Sequence, residues 1–190
     1  MFKFLLLTIS VVLLMPSCGY NSMVTMDEEI NAAWSQVENQ YQRRADLIPN
    51  LVNTVKGYAS HESETLEAVI QARANATQIT IDPTKLDEAS MKKYSAAQGE
   101  VSSALGKLLA VSESYPDLKA NQNFLELQAQ LEGTENRIST ERRKFNETVK
   151  TYNAYIRTFP RNLIASMFSF ASRAYFEAEA AAAKAPTVQF

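Results

Sequence analysis

The residue whose surroundings point most directly to a chemical modification is Cys18, the one cysteine in a chain of 190 residues. It follows the small residue Ser17 and an almost wholly apolar run from Phe4 to Met15, itself preceded by Lys3. A positive residue, a short apolar run and a small residue in this order are typical of an export signal. A cysteine directly after them resembles a bacterial lipobox, where a peptidase cuts before a cysteine that carries lipid. The sequence therefore predicts a signal peptide over residues 1–18 and lipidation at Cys18.

The same segment leaves alternatives open. The 12 residues from Phe4 to Met15 are fewer than the roughly 20 that cross a bilayer as a helix, which favours a cleaved signal. Met15 and Pro16, however, are not the residues most common in a lipobox. The alternatives are an uncleaved membrane anchor beside a free cysteine, or neither. The lipoprotein interpretation makes a membrane the partner of the N-terminus and places the chain, exported and lipid-anchored, in the bacterial cell envelope.

A second set of residues carries charge on or beside apolar helical stripes: Arg43, Arg44, Glu62, Glu135, Arg137 and Glu141. A buried charge needs a partner and hydrogen bonds. We expect these side chains to form an interhelical polar network that fixes the register of the helices. The alternative is a polar groove that binds an anionic or peptide ligand.

Several kinds of site are excluded by composition. One cysteine and one histidine cannot form a zinc site of Cys and His ligands. A di-iron helical bundle needs two Glu-x-x-His motifs, whereas His61 precedes Glu64 in the reverse order. His61 has no nearby nucleophile of evident character, since the neighbouring Ser60 faces another side of the predicted helix, and it is predicted to be a surface or packing residue. The sequence predicts no catalytic residue, no metal and no cofactor, and its net charge of −2 indicates no nucleic-acid partner.

The elements that position these residues are helices, because apolar residues recur at three- and four-residue spacing. One stripe crosses Pro49 in phase, which predicts a long, proline-kinked first helix from Asp27 to Ala76. Further helices are predicted over residues 84–113, 120–159, 161–168 and 173–184. The expected fold is all-α, an antiparallel up-and-down bundle of about four helices, with residues 19–26 as a polar tether and residues 27–190 as a single domain.

Several segments of the chain resemble the LemA family, most specifically the run Arg-Arg-Ala-Asp-Leu-Ile-Pro-Asn-Leu-Val over residues 43–52. The matching segments are Cys18 to Asn21, Trp34 to Val52, Tyr115 to Asn121, Thr134 to Ile138, Tyr152-Asn153 and Phe159-Pro160. The resemblance implies a bacterial membrane-associated helical bundle with no established enzymatic activity and no known cofactor. It supplies no catalytic residue.

Two functions are compatible with these observations. The first is a membrane-tethered, non-enzymatic scaffold or interaction protein that offers a helical face to an envelope protein. The second is an enzyme or ligand-binding protein that uses a polar groove between the long helices. The first predicts an exposed apolar patch outside the core, and the second predicts a pocket with convergent acids and bases.

Overall fold

The computed structural model describes residues 2–177, and the side chains of residues 19–177. Every regular element in this part of the chain is helical, which confirms the predicted all-α class. In chain order the helices are α1 (Phe2–Lys56), α2 (Ser63–Thr77), α3 (Glu88–Ser112), α4 (Pro116–Lys119), α5 (Gln122–Arg157) and α6 (Arg161–Met167), with a 3-10 turn at Pro83–Lys85 before α3.

Helix α1 contacts α2, α5 and α6, and it passes Pro49 without ending, as the sequence predicts. Proline lacks an N–H group, so the carbonyl oxygen of Ala45, four residues earlier, has no donor within the helix. Arg73 of α2 fills this gap, because its Nε donates to the Ala45 oxygen at 2.7 Å. The hydrogen bond that Pro49 removes from α1 is thus replaced by one that holds α2 against α1.

The predicted single helix from Asp27 to Ala76 is wrong beyond Lys56. The chain reverses through residues 57–62, and α2 returns along α1. Gly57 favours a break here, since glycine costs about 1 kcal/mol in a helix relative to alanine. Reversal also buries the apolar stripe of α2 in the cluster that holds the end of α1. Apolar residues recur at helical spacing on both sides of the turn because α1 and α2 each pack one side against the same apolar cluster.

The start of α1 also differs from the prediction. Residues 19–26, predicted as a polar tether, continue the helix in the structure. Met23 is completely buried, in the same apolar cluster as Ile156 of α5 and Ala165 of α6. Because this apolar contact is available, the segment packs against the C-terminal helices.

Helices α3 and α5 lie within four residues of their predicted bounds at each end. Both begin at side-chain caps that satisfy free N–H groups of the first turn. Asp87 Oδ1 accepts from the Ser90 N–H at 2.8 Å, and Asn121 Oδ1 accepts from the Phe124 N–H at 3.0 Å. The predicted helix over 161–168 is confirmed as α6.

Helices α1 and α5 run antiparallel along much of their length. Trp34 of α1 contacts Phe145 of α5, with ring centroids 5.7 Å apart. Ten residues further along α1, Arg44 pairs with Glu135, which lies ten residues earlier in α5. Helix α2 packs along both α1 and α3.

The described part of the predicted last helix, residues 173–177, is not helical, and residues 178–184 lie outside the described part. The backbone of this segment forms hydrogen bonds with the side chains of two asparagines of α5, in place of the hydrogen bonds of a helix. Asn153 donates to the Arg173 oxygen and accepts from its N–H, both at 2.9 Å. Asn146 bonds Phe176 in the same way, at 3.0 and 2.9 Å. Phe176 is thereby stacked on Trp34, with ring centroids 5.7 Å apart.

Candidate functional site

Arg44 is the one charged side chain buried in the described core, with 1% of its surface exposed. Its Nη1 donates to Glu135 Oε1 and to Ser102 Oγ, both at 2.7 Å. Its Nη2 donates to the backbone oxygen of Gln98 at 3.0 Å and to Gln98 Oε1 at 2.6 Å. The guanidinium also lies over the Tyr41 ring, 5.1 Å from its centroid. One side chain of α1 therefore ties together α3 and α5.

This site, which we call the Arg44 node (Arg44, Gln98, Ser102 and Glu135), has the properties of a structural contact. A buried charge is tolerated only with an opposite charge and further hydrogen bonds, and Arg44 has both. The side chain of Glu135 is 43% exposed, so solvent reaches one side of the ion pair. The four hydrogen bonds occupy both terminal nitrogens of Arg44, so no ligand is needed to balance them.

The structure brings together Arg44 and Glu135 from the predicted polar network and separates the other four residues. Arg43 and Arg137 are exposed. Glu62 accepts a hydrogen bond from the Tyr115 hydroxyl at 2.9 Å, and Glu141 pairs with Lys144 at 2.8 Å within α5. The hydrogen bond from Tyr115 to the Glu62 carboxylate raises the pKa of the tyrosine hydroxyl.

Two members of the node, Gln98 and Ser102, are absent from the predicted network. They are uncharged, and Ser102 lies four residues after Gln98, so both side chains lie on the same side of α3. The sequence signal for these two residues is a polar pair four residues apart, beside the buried stripe of α3. It gives no indication of which distant charge the pair meets.

A cavity of about 260 Å³ lies beside the node, between α1, α2 and α3. Its lining includes both Arg44 and Arg73, together with Glu38 and Tyr94. Burial raises the pKa of the Glu38 carboxyl above its usual value, and burial is also the main reason why the pKa of the Tyr94 hydroxyl is raised. The cavity has polar and charged side chains in its lining, as the alternative of a polar groove between helices predicts.

The described residues form no evident catalytic set. His61 is exposed in the turn between α1 and α2. Within residues 19–177, no three His, Cys, Asp or Glu side chains lie close enough together to hold a metal ion. The chemistry of the node is that of an interhelical ion pair.

The N-terminal membrane signal falls partly outside the described side chains. The backbone of residues 2–18 belongs to α1, but the side chain of Cys18 is not among those described, and its lipidation stays a prediction. Across the described part of the chain, no helix has the length and hydropathy needed to span a membrane.

The fold and the node define an all-helical protein whose buried charge joins its long helices and whose longest helix begins in an apolar segment. The sequence model of the LemA family matches residues 33–190, and the chain belongs to the LemA family. This confirms the resemblance seen in the sequence.

The chain is similar to magnetosome proteins and to a LemA protein. The chain is 30% identical over 175 residues to magnetosome protein MamQ 2 of Paramagnetospirillum magneticum, with 83% of this chain and 64% of that protein covered. It is 29% identical over 174 residues to magnetosome protein MamQ of Magnetospirillum gryphiswaldense, with the same coverage. It is 27% identical over 175 residues to protein LemA of Metamycoplasma hominis, covering 92% of this chain and 76% of that one. The chain thus spans about 64% of the length of the MamQ proteins.

Proposed function

We propose that this protein is a membrane-tethered, non-enzymatic helical scaffold of the bacterial cell envelope, anchored through Cys18 and offering a helical surface to an envelope protein. The observation that carries the proposal is the continuity of α1. Cys18 lies within the helix, which continues from it without a break into the part against which α2, α5 and α6 pack. A lipid on Cys18 therefore holds the whole fold at the membrane.

The charged groups of the interior support a scaffold over an enzyme. Arg44 is saturated by its partners at the node, and Asn146 and Asn153 in the C-terminal half of α5 hold the C-terminal segment. The likeness to LemA and to the magnetosome protein MamQ supports a membrane-associated role without catalysis. We also propose that α1, α2, α3 and α5 form an antiparallel four-helix bundle, an arrangement that the pairing of α5 with α1 and of α2 with α3 favours.

Lipid at Cys18 gives the tether its strength. The Sγ atom forms a thioether with the glyceryl carbon of a phospholipid, whose phosphate head group leaves with the thiol proton. Hydrolysis of the Ser17–Cys18 peptide bond then makes Cys18 the N-terminus. Each buried methylene contributes about 0.8 kcal/mol, and one acyl chain binds only marginally, so stable anchoring takes two chains. A diacylglyceryl group supplies both.

Labelling cells with a fatty-acid analogue tests the anchor. We expect the wild-type protein to take up label and Cys18→Ser to take up none. Ser17→Ala is the matched control, since it keeps a small residue before the cysteine and should be labelled like the wild type. Equal labelling of Cys18→Ser, or an unlabelled wild type, would show that the lipoprotein interpretation is wrong and favour the uncleaved anchor.

Capture of partners from native membranes tests the scaffold. The full chain, isolated with its tether intact, should retain a defined envelope protein after mild detergent extraction. A protein that is recovered alone under every extraction condition that preserves its helical circular dichroism would contradict this role.

The cavity beside the Arg44 node favours one alternative, a protein that binds a small anion between α1, α2 and α3. Arg73 in its lining is the basis for this alternative, because the terminal nitrogens of Arg44 are already bonded at the node. A small anion that raises the melting temperature of the wild type, but not of Arg73→Gln, would support it. Arg73→Gln also removes the hydrogen bond from Arg73 to the Ala45 oxygen. Pro49→Ala/Arg73→Gln is the matched control, because an alanine at position 49 gives that oxygen a donor within α1.

A further inference from the structure

Exposed apolar side chains are concentrated at one end of the fold. Ten large apolar residues are exposed in the described part of the chain, and four of them lie between residues 159 and 168. Phe159 is 81% exposed and Met167 is 76% exposed. We call these four residues, together with Tyr20, the α6 face: Tyr20, Phe159, Leu163, Met167 and Phe168.

The α6 face is built by a helix with one buried and one exposed side. Leu163 and Met167 are four residues apart and therefore lie on the same side of α6, where both are exposed. Ala165 is buried on the side that faces the core. Phe168 meets Tyr20 edge to face, with ring centroids 4.9 Å apart, which joins the end of α6 to the start of the described side chains of α1.

The position of α6 along α1 indicates what covers this face. The Cδ1 atom of Ile164 lies 3.2 Å from the place where a Cβ on Gly19 would stand, so α6 packs on α1 one residue after Cys18. At a rise of 1.5 Å per residue, Gly19 is about 6 Å along the helix axis from Met15, the end of the apolar segment. Both the lipid anchor and the uncleaved anchor therefore bring a bilayer to the level of α6.

The segment of chain that contains α6 is basic, which is complementary to an anionic membrane surface. Residues 148–176 contain four basic residues and no acidic one. Arg173 is paired with Asp27 at 2.7 Å, whereas Arg157 and Arg161 are exposed on either side of Phe159. The guanidinium of Arg161 lies over the Tyr155 ring, 4.1 Å from its centroid. Basic residues near an apolar face are typical of segments that lie in the membrane interface.

We propose that the α6 face is a membrane-contacting surface, inserted into the interfacial region of the bilayer with Arg157 and Arg161 directed to anionic head groups. This inference rests on the proposed membrane tether. It adds a second contact with lipid, which fixes the orientation of the helices relative to the membrane. A helix anchored at one point alone would leave that orientation free.

Depth-dependent quenching in vesicles tests the proposal with the full chain. An environment-sensitive fluorophore is placed on Met167→Cys, and on Ser60→Cys as the control in the exposed turn between α1 and α2. The wild type, labelled in parallel, gives the contribution of Cys18. The proteins are reconstituted into phosphatidylcholine vesicles with or without phosphatidylglycerol, and attachment is measured separately by co-flotation.

We expect lipid-borne quenchers to reduce the Met167→Cys signal several-fold more than the Ser60→Cys signal. Phosphatidylglycerol should increase this quenching, and Arg157→Gln/Arg161→Gln should abolish the increase. Equal quenching at both positions in proteins that co-float would overturn the proposal that the α6 face contacts the membrane and would leave the proposed tether intact. Failure of the wild type to co-float would overturn both.

Fluorescence at Met167→Cys that changes with protein concentration but not with the lipid-borne quenchers would show that the α6 face contacts a second copy of the chain. A signal that shifts only when an envelope protein is added would assign it to a protein partner. Either result would contradict the membrane-contacting surface.

Discussion

Removal of Glu135 is expected to destabilise the protein more than removal of its buried partner, Arg44. Glu135→Ala leaves a positive charge in the core with only neutral hydrogen-bond partners, Gln98 and Ser102. The free energy of unfolding should fall by about 3 kcal/mol, the low end of the range for a buried unpaired charge, because solvent already screens one side of the pair.

Arg44→Met leaves a carboxylate that water can reach, since the Glu135 side chain is 43% exposed. Its main cost is the loss of a partner for the buried Gln98 amide, about 2 kcal/mol. Combining Arg44→Met with Glu135→Ala removes the stranded charge. The double variant should therefore be about 1 kcal/mol more stable than Glu135→Ala alone.

Urea unfolding of the full chain in mild detergent, followed by the fluorescence of Trp34, measures these differences. Trp34 is the only tryptophan of the chain and is buried against Phe176. Arg43→Met is the matched control, since Arg43 is exposed and its loss should change stability by less than about 0.5 kcal/mol. If the double variant is less stable than Glu135→Ala alone, an unpaired buried charge is not the reason for the loss, and the reasoning is refuted.

Three further outcomes follow from the contacts. Asn153→Ala should free the C-terminal segment and speed hydrogen exchange there roughly tenfold, whereas Asn123→Ala should not, because Asn123 is exposed. Arg73→Met should lower the free energy of unfolding by about 1 kcal/mol, and by less in a Pro49→Ala background, where the Ala45 oxygen regains a donor within the helix; equal losses in urea unfolding would contradict this coupling. Burial raises the pKa of the Glu38 carboxyl, so the folded state binds the carboxyl proton more tightly than the unfolded state does. The contribution of Glu38 to stability therefore falls as pH rises from its pKa in the unfolded state to its pKa in the folded state. Glu38→Gln should therefore be more stable than the wild type at neutral pH, and the gain should vanish in urea midpoints measured below the usual pKa of a glutamate.

The sequence by itself determined the class of fold, the bounds of α3, α5 and α6 to within four residues and the passage of α1 through Pro49. These properties depend on local signals, because helical spacing, capping residues such as Asp87 and Asn121, and the scarcity of strand-forming runs act within a few turns of chain. Membership of the LemA family was also readable from the run over residues 43–52.

The partners of Arg44 were only half predictable. Its place on the stripe beside Tyr41 showed that its charge needs a partner, and Glu135 was among the candidates. The choice of Glu135, Gln98 and Ser102, and the exclusion of Arg43 and Arg137, depends on which turns of α1, α3 and α5 meet. That register is set by contacts between residues 54 to 91 positions apart.

Only the tertiary structure decided where the chain turns back and where its last segment lies. An apolar stripe requires that one side of a helix be covered, but it does not specify whether the cover comes from a distant helix or from the chain folding back at Gly57. The helical propensity of the residues after Arg173 likewise competes with two asparagines of α5 that bond their backbone. In both places the free energy gained from burial and hydrogen bonds between distant residues exceeds the local preference, since a helix turn is worth little until other helices pack on it.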